Sequence, residues 1–170
     1  MFGLLDALKA ILEGGSTSTD THPLRGLVNE RLADRPEQDQ RLVTAIAGLL
    51  ACVAYADQVF TAEERVHIRA ELERLPMLDE KDVEVIVSLL EQDIAAVVGS
   101  GDQRWVRDLR ELTDREARFE VLEVLVDLAA ADDELAHAEV NYLRRLTTAL
   151  GLTQDDYNAA QARHRDKLKA

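Results

Sequence analysis

Two pairs of carboxylates recur at one spacing: Asp57 with Glu64, and Asp132 with Glu139. Each Asp follows an alanine, Ala56 or Ala131, and each Glu precedes an aliphatic residue four positions on, Ile68 or Leu143. An Asp closing one helix and a Glu in the first turn of the next bring two carboxylates together beside a helix N-terminus, and hard divalent cations favour such oxygen-rich sites. Asp133 and Glu134 enlarge the second set, and Glu63 enlarges the first. The same residues also have a structural use. Glu64 stands three residues after Thr61, where a capping-box Glu belongs, and negative charge in a first helical turn stabilises by about 0.3–1 kcal/mol without any ion. Asp57 and Asp132 can close a helix through local hydrogen bonds. The loops are too short for an EF-hand, whose bidentate Glu comes at position 12 of its loop.

Glu64-Arg65-Val66-His67 and Glu134-Leu135-Ala136-His137 both spell Glu-x-x-His, a pattern that di-iron carboxylate bundles place on two helices. They stand 70 residues apart, not the 75 of the carboxylate pairs, so they fall at different structural positions. His67 is otherwise accounted for by Glu63 and Glu71, an ion-pair stripe at helical spacing. Cys52, the sole cysteine, sits among Leu49, Leu50, Val53 and Ala54 and reads as a small buried hydrophobe. Trp105, the sole tryptophan, reads as a plug between helices. Hydrolase nucleophile motifs, glycine-rich phosphate loops and paired-cysteine metal sites do not occur. The residues describe a non-enzyme.

What must position these groups is helical. Apolar residues make up 46% of the chain and aromatics only 4%, so the core is Leu, Val, Ile and Ala, which suit helix-on-helix packing. A chain of 170 residues can bury roughly 70% of its unfolded surface and fold without staples. The 3.6-residue period predicts helices at about 38–56, 62–75, 80–97, 103–111, 115–131, 137–150 and 154–168, after a short lead-in helix from Leu24 to Leu32. Thr61, Asp79, Asp114 and Thr153 are the expected N-caps, and Gly99, Gly101 and Gly151 the expected stops. The fold class is all-α, a single-domain bundle of seven or eight helices.

At an offset of 75 residues Ile46 aligns with Val121, Leu50 with Leu125, Val53 with Leu128, Glu64 with Glu139 and Ile68 with Leu143. An apolar helix, an acidic loop and a second amphipathic helix therefore occur twice, which predicts an internal duplication of a helix-loop-helix-helix unit. Residues 37–170 form the predicted helical domain. Residues 1–36 hold an N-terminal amphipathic helix, a Gly-Gly-Ser-Thr linker and the lead-in helix. Phe2, Leu5, Leu8 and Leu12 line one side of that first helix, a face suited to docking on the bundle or on a partner.

Here the chain resembles the tellurite-resistance TerB family, including TerB-like domains of some membrane-anchored co-chaperones. The matching residues are Ala56-Asp57 with Glu64 and Ala131-Asp132 with Glu139, within a resemblance spanning about residues 38 to 165. It implies an all-α bundle, a divalent cation (calcium, magnesium, manganese or zinc) held at Asp57, Glu64, Asp132 and Glu139 with Asp133 and Glu134 assisting, and a role in bacterial stress or metal-oxyanion resistance. The family's glycine after each Asp is replaced by Gln58 and Asp133, which points to a differently shaped loop and weakens the metal site most in the first repeat, where Val59 and Phe60 are apolar, leaving Asp132, Asp133, Glu134 and Glu139 the better ligand set.

A net charge of −13 repels nucleic acid and anionic lipid. Cations and basic protein surfaces remain as partners, and self-association into a homo-oligomer is an open alternative. With no basic leader, no membrane span and one buried-type cysteine, the expected location is cytoplasmic.

Overall fold

The computed structural model describes residues 22–99, 102–131 and 137–168, with side chains as far as residue 163. Among these residues there are eight helices: α1 Pro23–Arg31, α2 Glu37–Ala54, α3 Ala62–Glu73, α4 Glu80–Val98, α5 Asp102–Leu112, α6 Arg115–Ala129, α7 His137–Ala149 and α8 Gln154–Leu168. Every one overlaps a helix expected from the period, with ends within two residues. Phe2, Leu5, Leu8 and Leu12, and the loop acids Asp132, Asp133 and Glu134, lie outside the described residues.

Helix α2 is the centre. Val43, Ala45, Ala47, Leu49, Leu50, Ala51, Val53 and Ala54 are all buried, so it is apolar nearly all round, the pattern of a helix enclosed by others. It packs against α1, α3, α4, α5, α6 and α7. Its longest contact is with α5, where the Trp105 indole lies on Gly48. The lead-in helix α1 buries Leu24 and Val28 against α2 and α4, so it is an integral part of the core.

Helix starts are set by short-range chemistry. Thr61 with Glu64, and Asp79 with Asp82, form complete capping boxes. Thr153 and Asp156 do the same: the Thr153 N–H donates to Asp156 Oδ2 at 2.7 Å and the Asp156 N–H donates to Thr153 Oγ1 at 3.2 Å. Asp114 accepts from the Ala117 N–H at 2.8 Å. Asp82 and Asp156 each also take an arginine, Arg31 at 2.9 Å and Arg115 at 2.7 Å. Several of the chain's acids are therefore employed in starting helices. Gly151 ends α7 at φ +76, with the Leu152 N–H reaching back to the Thr147 carbonyl, a left-handed cap that a side chain would strain. Helix α4 is interrupted at Asp93, whose Oδ1 accepts from the Ala96 N–H and starts the continuation.

The residues aligned at an offset of 75 share a burial pattern: Leu50 and Leu125, Val53 and Leu128, Glu64 and Glu139, and Ile68 and Leu143 are all buried. No helix among the described residues is long and apolar enough to cross a membrane.

Candidate functional site

The first acidic loop is built from its own backbone. After α2, the Ala56 N–H donates to the Val53 carbonyl at 3.3 Å and the Gln58 N–H donates to the Tyr55 carbonyl at 2.9 Å. Asp57 Oδ1 then accepts from the Val59 N–H at 3.0 Å, an Asx turn. Gln58 sits at φ +65, the left-handed conformation that a glycine adopts freely. The first loop thus makes a left-handed turn without a glycine and bears the strain in a glutamine, between flanking hydrogen bonds and the half-buried Phe60; Asp133, aligned with Gln58, lies outside the described residues. Gln58→Gly is expected to raise stability by about 1 kcal/mol, seen as a higher urea midpoint at unchanged slope.

Glu64 is buried, its Oε2 accepting from the Thr61 N–H at 2.9 Å while its own N–H donates to Thr61 Oγ1 at 3.2 Å. Both carboxylates of the first loop therefore have local hydrogen bonds of the kind a helix junction needs. Among the described residues no group of three or more His, Cys, Asp or Glu side chains is placed to hold a metal ion.

The second loop opens in the same way, the Ala131 N–H donating to the Leu128 carbonyl at 3.1 Å. Glu139, in the first turn of α7, is 1% exposed, as is Glu64. One difference is chemical. The position aligned with Thr61 is Ala136, which has no side-chain oxygen, so Glu139 cannot share a reciprocal capping box of the Thr61–Glu64 type. Of the six residues expected to bind a cation, Asp57, Glu64 and Glu139 are described, and Asp132, Asp133 and Glu134 are not.

Of the two Glu-x-x-His pairs, Glu64, His67 and His137 are among the described residues and Glu134 is not. Glu64 serves its cap, His67 meets Glu71 at 3.9 Å, and His137 is exposed at the start of α7. Cys52 is buried opposite Tyr142, and burial pushes its thiol up to about 12, so it stays protonated and shielded. The Tyr142 hydroxyl is raised for the same reason.

Period reading did not single out a groove of about 640 Å³ between α2, α3, α6 and α8. Its floor is Leu42, Ile46, Leu50, Leu75, Val121 and Val124, and its rim carries two ion pairs, Glu71 with Arg74 and Glu123 with Arg163. Ile46 and Val121 align at the offset of 75 residues, but half-buried aliphatics have the same period as fully buried ones.

An all-helical bundle with two Ala-Asp junctions, each leading to a buried Glu in the next helix's first turn, invites comparison with known families. The family model described as tellurite resistance protein TerB matches residues 19–162. The chain belongs to the TerB family. The match begins before α1, so this TerB domain takes in the lead-in helix as well as the two acidic junctions. No curated protein and no solved structure matches the chain.

Proposed function

We propose that this TerB-family chain is a non-enzymatic module of a bacterial metal-oxyanion or general stress response, working in the cytoplasm, whose second acidic junction binds a divalent cation. The observation that carries this is Glu139. Its carboxylate is buried in the first turn of α7, next in the chain to Asp132, Asp133 and Glu134. Asp132, Asp133, Glu134 and Glu139, four acids within eight residues, supply the oxygen ligands that calcium, magnesium or manganese take, zinc less readily. Asp57 and Glu64 are the poorer ligand set, because Val59 and Phe60 make the first loop apolar where the second carries Asp133 and Glu134.

Chelator-treated protein melted with and without millimolar calcium, magnesium, manganese and zinc tests this. A ligand that prefers the folded state stabilises it by RT ln(1 + [L]/Kd), about 2.7 kcal/mol at a hundredfold excess over Kd, so the melting temperature should rise by several degrees for one ion. Asp132→Asn should abolish the shift, and Asp57→Asn should leave most of it. Equal melts for all four ions would sink the proposal.

The groove floored by Ile46, Leu50, Val121 and Val124 supports a second role, binding an amphipathic helix of a protein partner or of a second copy in a homo-oligomer. Ile46→Asp would then remove binding without altering the cation-dependent melt.

A further inference from the structure

We propose that the groove between α1 and α4 is the docking site of the chain's own N-terminal segment, residues 1–13. It encloses about 690 Å³ and is lined by His22, Gly26 and Leu27 on one side and by Val85 and Leu89 on the other. Leu27 and Leu89 are half-buried and packed on the core below. This inference is independent of cation binding.

Gly26 is the first observation. It sits inside α1, where glycine weakens a helix relative to alanine, and a Cβ built there would meet nothing within 4 Å. Nothing among the described residues requires a glycine at this position. Gly48 is the contrast: a Cβ there would fall 2.5 Å from the Trp105 indole, so that glycine is what lets α5 close on α2. A helical glycine flanking an open apolar groove is explained when another backbone or ring comes close over it.

The tether identifies the occupant. His22 lines the groove, so the chain enters the bundle at the groove's own edge. Eight residues, Gly14 to Thr21, join it to the amphipathic segment and reach up to about 26 Å at roughly 3.3 Å per residue. A 13-residue helix is about 20 Å long, so doubling back onto α1 and α4 is within that reach. A short tether also raises the local concentration of the segment to the millimolar order, which favours it over a free partner. Phe2, Leu5, Leu8 and Leu12 recur at helical spacing and supply an apolar face matching Leu27, Val85 and Leu89.

The test compares the full chain with full-length Leu5→Asp/Leu8→Asp by amide proton–nitrogen NMR. The substituted residues lie before the bundle, so the fold should persist. Shift changes concentrated at residues 22–30 and 84–92 are expected. Changes centred on Ile46 and Val121 instead, or none beyond residue 21, would overturn the proposal. So would a twofold molar mass by light scattering that Leu5→Asp/Leu8→Asp reduces to the monomer, because the occupant would then be a second copy's segment. Gly26→Leu, which fills the groove, should speed amide hydrogen exchange of residues 2–12 at least tenfold, and unchanged exchange would count against docking there.

Discussion

Trp105→Ala is expected to lower the free energy of unfolding by about 3–5 kcal/mol, measured by urea denaturation. The indole is 2% exposed and lies directly on the backbone of α2 at Gly48. The His22 ring meets it edge-on, with centroids 5.2 Å apart and planes at 89°. His22 is held in turn, because its Nε2 lies 2.9 Å from the Val97 carbonyl, which can only accept, so Nε2 carries the proton. One side chain thereby ties α5 to α2 and, through His22, to the start of α1 and the last turn of α4. Truncation leaves a cavity among three helices that have other reasons to stay apart.

The complementary substitution decides whether this account is right. Gly48→Ala should cost about 1–3 kcal/mol by driving a methyl into the ring. In a Trp105→Ala background the same change should become neutral or stabilising by up to about 1 kcal/mol, since alanine is the better helix former and the clash is gone. A reversal of sign of this kind is the mark of direct contact. Additive effects in the double variant would mean that Gly48 is required for some other reason.

The parts of this bundle that sequence made legible are those set by short-range chemistry. Thr61 and Glu64 stand three residues apart, as do Thr153 and Asp156, and the hydrogen bonds close as that spacing requires. Helix positions followed from the period of aliphatic residues, and Trp105 as an inter-helix plug followed from its being a large ring in an amphipathic stretch. Three things were not legible. The φ of Gln58 was hidden because its identity argues against the left-handed region, and only the surrounding hydrogen bonds impose it. The groove over Ile46 and Val121 was hidden because half-buried and buried aliphatics share one period. Of the candidate cation ligands, the offset of 75 residues aligned Glu64 with Glu139, and the structure buries both. Spacing also allowed Glu64 a capping role, which its hydrogen bonds with Thr61 fulfil. Ion pairs between distant segments were the remaining gap, since nothing in the local pattern of Asp108 points to Arg41, 67 residues earlier.

That last pair carries the second large effect. Asp108→Ala is expected to destabilise by about 3–5 kcal/mol, again by urea denaturation. Asp108 is 3% exposed; its Oδ1 accepts from Arg41 at 2.6 Å, and its Oδ2 lies 3.9 Å from Arg25. The hydrogen bond to Asp108, followed by that to Glu111, raises the Arg41 pKa; a guanidinium keeps its proton in a protein even without its partner, so removing Asp108 leaves the charge in place. Glu111 remains as a second acceptor at 2.6 Å, but its side chain is 54% exposed and solvent weakens what it can offer. The cost of Asp108→Ala is therefore mainly that of leaving a partly buried charge with only a solvent-exposed partner, and a matched removal should recover most of it: Asp108→Leu with Arg41→Met is expected within about 1 kcal/mol of the natural chain. A single-variant loss below about 1 kcal/mol would instead class the pair with ordinary surface bridges. Trp105 and Asp108 are three residues apart and share one face of α5, so the contact with α2 is fastened by a ring on a glycine and a carboxylate on an arginine one turn along. Their effects should then couple: with α5 already loosened by Trp105→Ala, Asp108→Ala should cost measurably less than it does alone.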